Sequence, residues 1–153
     1  MAELMAAVSG DKGRPAEILL VEDNPGDVVL TRKAFSSVKF VNNITVAEDA
    51  ERALAILRCE PPHAGATQPD LILLDINLPK IGGIFLLEEI RKDTKLMKIP
   101  VLMLTSSTAK SDIMSAYHLD ANCYMVKPLT MEKLCLAVTK IPGFWNVLMV
   151  ADS

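Results

Sequence analysis

A small set of reactive side chains shares one setting, because each stands directly after a short apolar run. Glu22 and Asp23 follow Ile18-Leu19-Leu20-Val21, and Asp75 follows Leu71-Ile72-Leu73-Leu74. Thr105 follows Val101-Leu102-Met103-Leu104, and Lys127, itself followed by Pro128, closes Cys123-Tyr124-Met125-Val126. If the runs are neighbouring strands, three carboxylates, a hydroxyl and an amine converge. Two carboxylates about 5 Å apart repel by roughly 3 kcal/mol at an effective dielectric near 20, so three in one crevice call for a cation. Mg²⁺ suits them: it takes oxygen ligands and typically joins one or two carboxylates to a phosphate. Lys127 and Thr105 would then donate to the phosphate oxygens that the metal leaves uncovered.

The elements that must position these groups can be read from periodicity. The first strand is expected at Ile18–Val21, with Asn24-Pro25 as a helix cap and first turn, and Val28, Thr31, Ala34 and Phe35 at helical spacing behind it. A second strand, Phe40–Val46, precedes a helix with Ala50, Ala53, Leu54 and Leu57 on its inner face. The Pro-rich stretch Glu60–Pro69 reads as a loop, and Gly82-Gly83 permits the turn into a third helix marked by Leu86, Leu87 and Ile90. A fourth helix is expected over Ser111–His118, and a last one shows Leu134, Ala137, Val138 and Ile141 on one face. Strands alternating with helices imply a parallel sheet covered on both faces. The expected fold is therefore α/β, a flavodoxin-like doubly wound sheet of five strands in the order 2-1-3-4-5, whose ligands bind outside the carboxyl ends of the strands.

Composition narrows the function classes. The chain has 153 residues, half of them apolar and 23% charged, enough for one domain with a real core. Sixteen Lys and Arg against nineteen Asp and Glu leave a net charge of -3, which provides no basic field for nucleic acid. No apolar run approaches the roughly 18 residues a membrane span needs. Cys59, Cys123 and Cys135 lack metal-ligand spacing, and His63 and His118 do not complete a site with them, so neither a disulfide framework nor zinc is expected. Residues 1–15 read as a flexible leader rather than a secretion signal, which makes a cytoplasmic location the expectation and Asn43-Ile44-Thr45 strand sequence rather than a glycan acceptor.

Taken in order, Leu-Val-Glu22-Asp23-Asn-Pro, Leu-Leu-Asp75-Ile-Asn77-Leu-Pro79, Leu-Thr105-Ser106 and Tyr124-Met-Val-Lys127-Pro128 resemble the receiver domain of two-component response regulators, over residues 16–141. The resemblance implies that Asp75 accepts a phosphoryl group from a phosphohistidine of a sensor histidine kinase. It also implies that Asp23, Asp75 and the backbone carbonyl of Asn77 hold Mg²⁺, with Glu22 acting through a metal-bound water, and that Thr105 and Lys127 bind the phosphoryl oxygens. Thr105 and Tyr124 would form the switch. Such a chain is not an enzyme in the ordinary sense, since it catalyses only its own phosphorylation and dephosphorylation. Alone, each residue has a plainer reading: Glu22-Asp23 a solvated strand end, Asp75 a turn residue, Thr105 a cap, Lys127 a surface lysine, Tyr124 a half-buried strand aromatic. The ordered set is what carries the resemblance. Trans is the default for the Lys127-Pro128 bond, and the cis form is open to it.

Two rivals are weighed. A phosphatase of the haloacid dehalogenase type also uses an Asp nucleophile and Mg²⁺, but it wants a second acid two residues on, where Asn77 stands. A non-catalytic interaction module would not need the full acidic, hydroxyl and lysine set. With the receiver ending near Ile141, the output is expected to pass by protein contact, with a phosphorelay carrier or a phosphate sink as alternatives. The tail, residues 142–153, carries Phe144, Trp145 and a nearly continuous apolar run, and is expected to dock on a second copy as a homodimer contact; folding back on its own last helix is the alternative. Glu22-Asp23-Asn-Pro-Gly-Asp27, the long loop, Ala121-Asn122-Cys123-Tyr124 and Phe144-Trp145 further resemble the small regulators that accompany phytochrome kinases. That resemblance implies a red-light-sensing kinase as partner.

Overall fold

The computed structural model describes residues 15–38, 42–60, 68–78, 82–105 and 123–139. In chain order the elements are β1 (Ala16–Val21), α1 (Pro25–Ser36), β2 (Asn42–Ala47), α2 (Ala50–Leu57), β3 (Leu71–Asp75), α3 (Gly83–Lys92), β4 (Val101–Thr105), β5 (Cys123–Val126) and α4 (Met131–Thr139). All the strand pairs are parallel, and the sheet order is β2-β1-β3-β4-β5, as the sequence predicts.

The apolar runs are continuous because both faces of the sheet are covered, and alternate residues serve opposite faces. Ile18, Leu20, Leu71, Leu73, Leu102 and Leu104 pack under Ala34 and Phe35 of α1 and Leu134, Ala137 and Val138 of α4. Leu19, Val21, Ile72, Leu74, Val101 and Met103 pack under α2 and α3 on the other side. β1, β3 and β4 are buried almost end to end, whereas β2 at the sheet edge alternates between partly buried and exposed positions. Truncating one of the central leucines to alanine would cost about 2–5 kcal/mol.

The first helix starts where its cap predicts. Asn24 Oδ1 accepts the backbone N–H of Asp27 at 3.1 Å, with Pro25 in the first turn of α1. Asp49 caps α2 through the Arg52 N–H at 2.7 Å. The inner face of α2 differs in one residue from the expectation: Ile56 is buried with Ala50, Ala53 and Leu57, while Leu54 is only partly covered. Leu54 still packs against the cluster that α2 shares with α3. β2 begins at Asn42, and Phe40 lies outside the described residues. So do residues 1–14, most of the Pro-rich stretch with His63, Pro79, Ser106, the expected helix at Ser111–His118, Ile141, and the tail with Phe144 and Trp145. Among the described residues, no helix is long and apolar enough to cross a membrane.

Candidate functional site

The register brings the reactive residues to one edge. Val21 stands opposite Leu74, so Glu22 and Asp75 leave β1 and β3 side by side. Asp75 is opposite Leu104 and Thr105 opposite Val126, which sets Lys127 one step beyond. Backbone hydrogen bonds carry the ladder past the strand ends and fix these positions. Glu22 N–H donates to Ala47 O at 2.9 Å, Ile76 N–H to Leu104 O at 2.9 Å, and Lys127 N–H to Thr105 O at 2.7 Å. The Lys127-Pro128 bond is cis, the less common of the two forms left open by the sequence.

Lys127 is the hub. Its Nζ donates to Asp27 Oδ2 at 2.8 Å and to Asp75 Oδ2 at 3.1 Å. It also stands 2.6 Å from Glu22 Oε1, an ion pair off the line of a directed hydrogen bond, so that this buried oxygen lacks an aligned donor among the described residues. The other oxygens are better served: Glu22 Oε2 accepts the Asn24 N–H at 3.3 Å, and Asp75 Oδ1 accepts the Asn77 N–H at 2.9 Å. Glu22 is 1% exposed and Asp75 5%. Burial pushes the Glu22 carboxyl from 4.5 up to about 7; the nearby Asp75 carboxylate works in the same direction, and Lys127 opposes them. Burial alone would lower the Lys127 ammonium, but its close pairing with the Asp27, Glu22 and Asp75 carboxylates outweighs it and raises the group, fixing the positive charge.

One ammonium does not balance this much acid. Glu22, Asp23 and Asp75 each offer a carboxylate oxygen, and these oxygens all lie within 4.8 Å of one another. Three hard oxygens at that spacing fit a hard divalent cation. Asp23 is exposed and gives such an ion a way in from solvent.

Every strand-end residue predicted from sequence is therefore at the site. Thr105 is fully buried, with its Oγ1 accepting weakly from Asn77 Nδ2 at 3.4 Å. Tyr124 is half-buried on β5, packed against the cluster under α2 and α3. Phe144 and Trp145 fall outside the described residues. One participant carries no site role in the sequence reading, where it stands only within the narrower resemblance: Asp27, which pairs with Lys127 from the first turn of α1. Its signal was an acid three residues past a capping Asn, immediately after the strand that ends in Glu22-Asp23.

Residues 18–139 match the family model described as response regulator receiver domain. The chain is 34% identical over 138 residues to response regulator Rcp1 of a Synechocystis strain, covering 90% of this chain and 94% of Rcp1. Among solved structures it is similar to the bacteriophytochrome response regulator AtBRR, with a TM-score of 0.76 and 35% identity over 84% of this chain and 93% of that one. It is also similar to the phosphorylated cyanobacterial phytochrome response regulator RcpA, with a TM-score of 0.74 and 39% identity over 86% and 94%. The Mn²⁺-bound form of Rcp1 superposes with a TM-score of 0.73 and 33% identity over 91% and 100%.

Proposed function

The chain belongs to the response regulator receiver domain family, and from that premise we propose that Asp75 is its phosphoryl acceptor and a sensor histidine kinase, of the phytochrome type, its donor. The observation that carries the proposal is the meeting of a buried Asp75 with Lys127 at 3.1 Å, beside the Glu22 and Asp23 carboxylates. An Asp75 oxygen attacks phosphorus as the P–N bond of the phosphohistidine breaks, and the electron pair of that bond returns to the imidazole nitrogen. Lys127 and Thr105 donate to the phosphoryl oxygens, so that catalysis is positioning and charge neutralisation. Asp23, Asp75 and the Asn77 carbonyl would hold Mg²⁺, with Glu22 as the neighbouring acid. When bound, the ion neutralises charge on the acceptor and on the transferring group.

With Asp75 modified, the Thr105 hydroxyl turns toward the phosphoryl group and Tyr124 moves into the space released. The signal leaves by protein contact, and a second copy docks through the tail at Phe144 and Trp145. Support for the phytochrome partnership comes from the likeness to Rcp1, AtBRR and RcpA, whose names carry that association in two of the three cases.

The test is incubation with Mg²⁺ and phosphoramidate, followed by intact mass. One added phosphoryl group is expected in the wild type and none in Asp75→Asn. A wild type that gains nothing at any Mg²⁺ concentration would sink the proposal. Steady turnover of phosphomonoesters would favour the phosphatase reading instead.

A further inference from the structure

We infer that Asp27 is the positioning residue for Lys127, the group that keeps the ammonium beside Asp75 once a cation occupies the carboxylates; this rests on Asp75 being the phosphoryl acceptor. Lys127 Nζ has three anionic neighbours, Glu22, Asp27 and Asp75. Two of them, Glu22 and Asp75, belong with Asp23 to the group whose oxygens close on a common point, and Asp27 does not. A divalent cation there takes up the charge of Glu22 and Asp75 and repels the ammonium. Asp27 then remains the carboxylate whose charge is still free to hold Lys127. Its oxygen lies at charge-assisted hydrogen-bond distance, 2.8 Å, from a lysine 100 positions away.

The anchor is rigid because it stands on the start of a helix. Asn24 Oδ1 accepts the Asp27 N–H and the Asn24 carbonyl accepts the Val28 N–H, each at 3.1 Å, with Pro25 between them. A plainer role for Asp27 is to complement the dipole of α1 as an acid in its first turn. That role needs no lysine, and the carboxylate is turned onto one. Its side chain is 31% exposed and that of Lys127 13%, so the pair is partly shielded from solvent while Asp27 itself still reaches the surface.

Phosphoramidate tests the inference directly. The Asp75 O–P bond forms as the P–N bond breaks, and the protonated nitrogen leaves with its electron pair as ammonia. Rates of mass gain at saturating Mg²⁺ are compared for wild type, Asp27→Asn, Asp27→Glu, Lys127→Ala and the Asp27→Asn/Lys127→Ala double variant, with Mg²⁺ affinity measured by calorimetry. Asp27→Asn is expected to be slower by about tenfold, the cost of a loosened supporting group, and Asp27→Glu to regain most of that. Mg²⁺ affinity should move by less than about threefold, because Asp27 is not among the metal's acids. The double variant should be no slower than Lys127→Ala alone, the mark of a residue acting through its partner. Asp27→Asn at the wild-type rate, a further tenfold loss in the double variant, or a fall in Mg²⁺ affinity as large as the fall in rate overturns the inference. A wild type that gains no phosphoryl group overturns the acceptor reading and this inference together, whereas the other outcomes leave the acceptor reading standing.

Discussion

At Glu22 the fold holds a carboxyl 1% exposed beside Asp75, and its affinity for a proton rises to about 7 from 4.5. The folded chain thus keeps this proton more tightly than the unfolded one. The group favours folding fully below its unfolded value of 4.5 and loses that contribution as pH rises through about 7. The loss is up to about 3 kcal/mol. In chelator, urea denaturation at pH 5 and pH 8 should show wild type losing ground to Glu22→Gln at the higher pH, and saturating Mg²⁺ should narrow the gap. A difference between the two proteins that is the same at both pH values would contradict this. Glu22, Asp23, Asp75, Thr105 and Lys127 were legible in the sequence because each follows a strand, and the strand end fixes where the side chain points. Asp27 was not, because its role depends on a lysine 100 residues away and an acid in a first helical turn already has an ordinary explanation.

Between β3 and α3 the chain doubles back so closely that Gly83 serves for a different reason from a flexible turn. A Cβ added there would collide with the carbonyl oxygen of Asp75 and meet the Ile76 Cα at 2.8 Å, while the Gly83 N–H donates to Ile76 O at 3.1 Å. Gly83→Ala should therefore lower stability by about 1–3 kcal/mol through overpacking. It should also slow the proposed phosphorylation of Asp75, since the atoms displaced belong to that residue's own backbone. Equal melting temperatures for wild type and variant would refute the close approach. The sequence predicted the existence and kind of every described element, because apolar runs and helical spacing are strong periodic signals. The finer differences, Ile56 buried more deeply than Leu54 and β2 running on to Ala47, arise where neighbouring helices and edge pairing decide, and these contacts leave no local trace.

At the scale of the whole molecule, one sheet with two covered faces delivers all the reactive groups to a single rim and leaves apolar surface elsewhere. Val29 on α1 is 64% exposed and Leu136 on α4 61%, on the two helices that share one face of the sheet. The proposed tail contact adds Phe144 and Trp145 to the apolar inventory. Removing residues 144–153 should convert a dimer to a monomer, read by light scattering; an unchanged mass would mean that the tail does not join two copies. The order β2-β1-β3-β4-β5 has a consequence for the growing chain. Lys127 follows the last strand to be synthesised, a full domain behind Glu22, Asp23 and Asp27. A chain short of β5 lacks the ammonium that pairs with Glu22, Asp27 and Asp75. The counter-charge of the acidic rim therefore arrives only when the fifth strand joins the sheet.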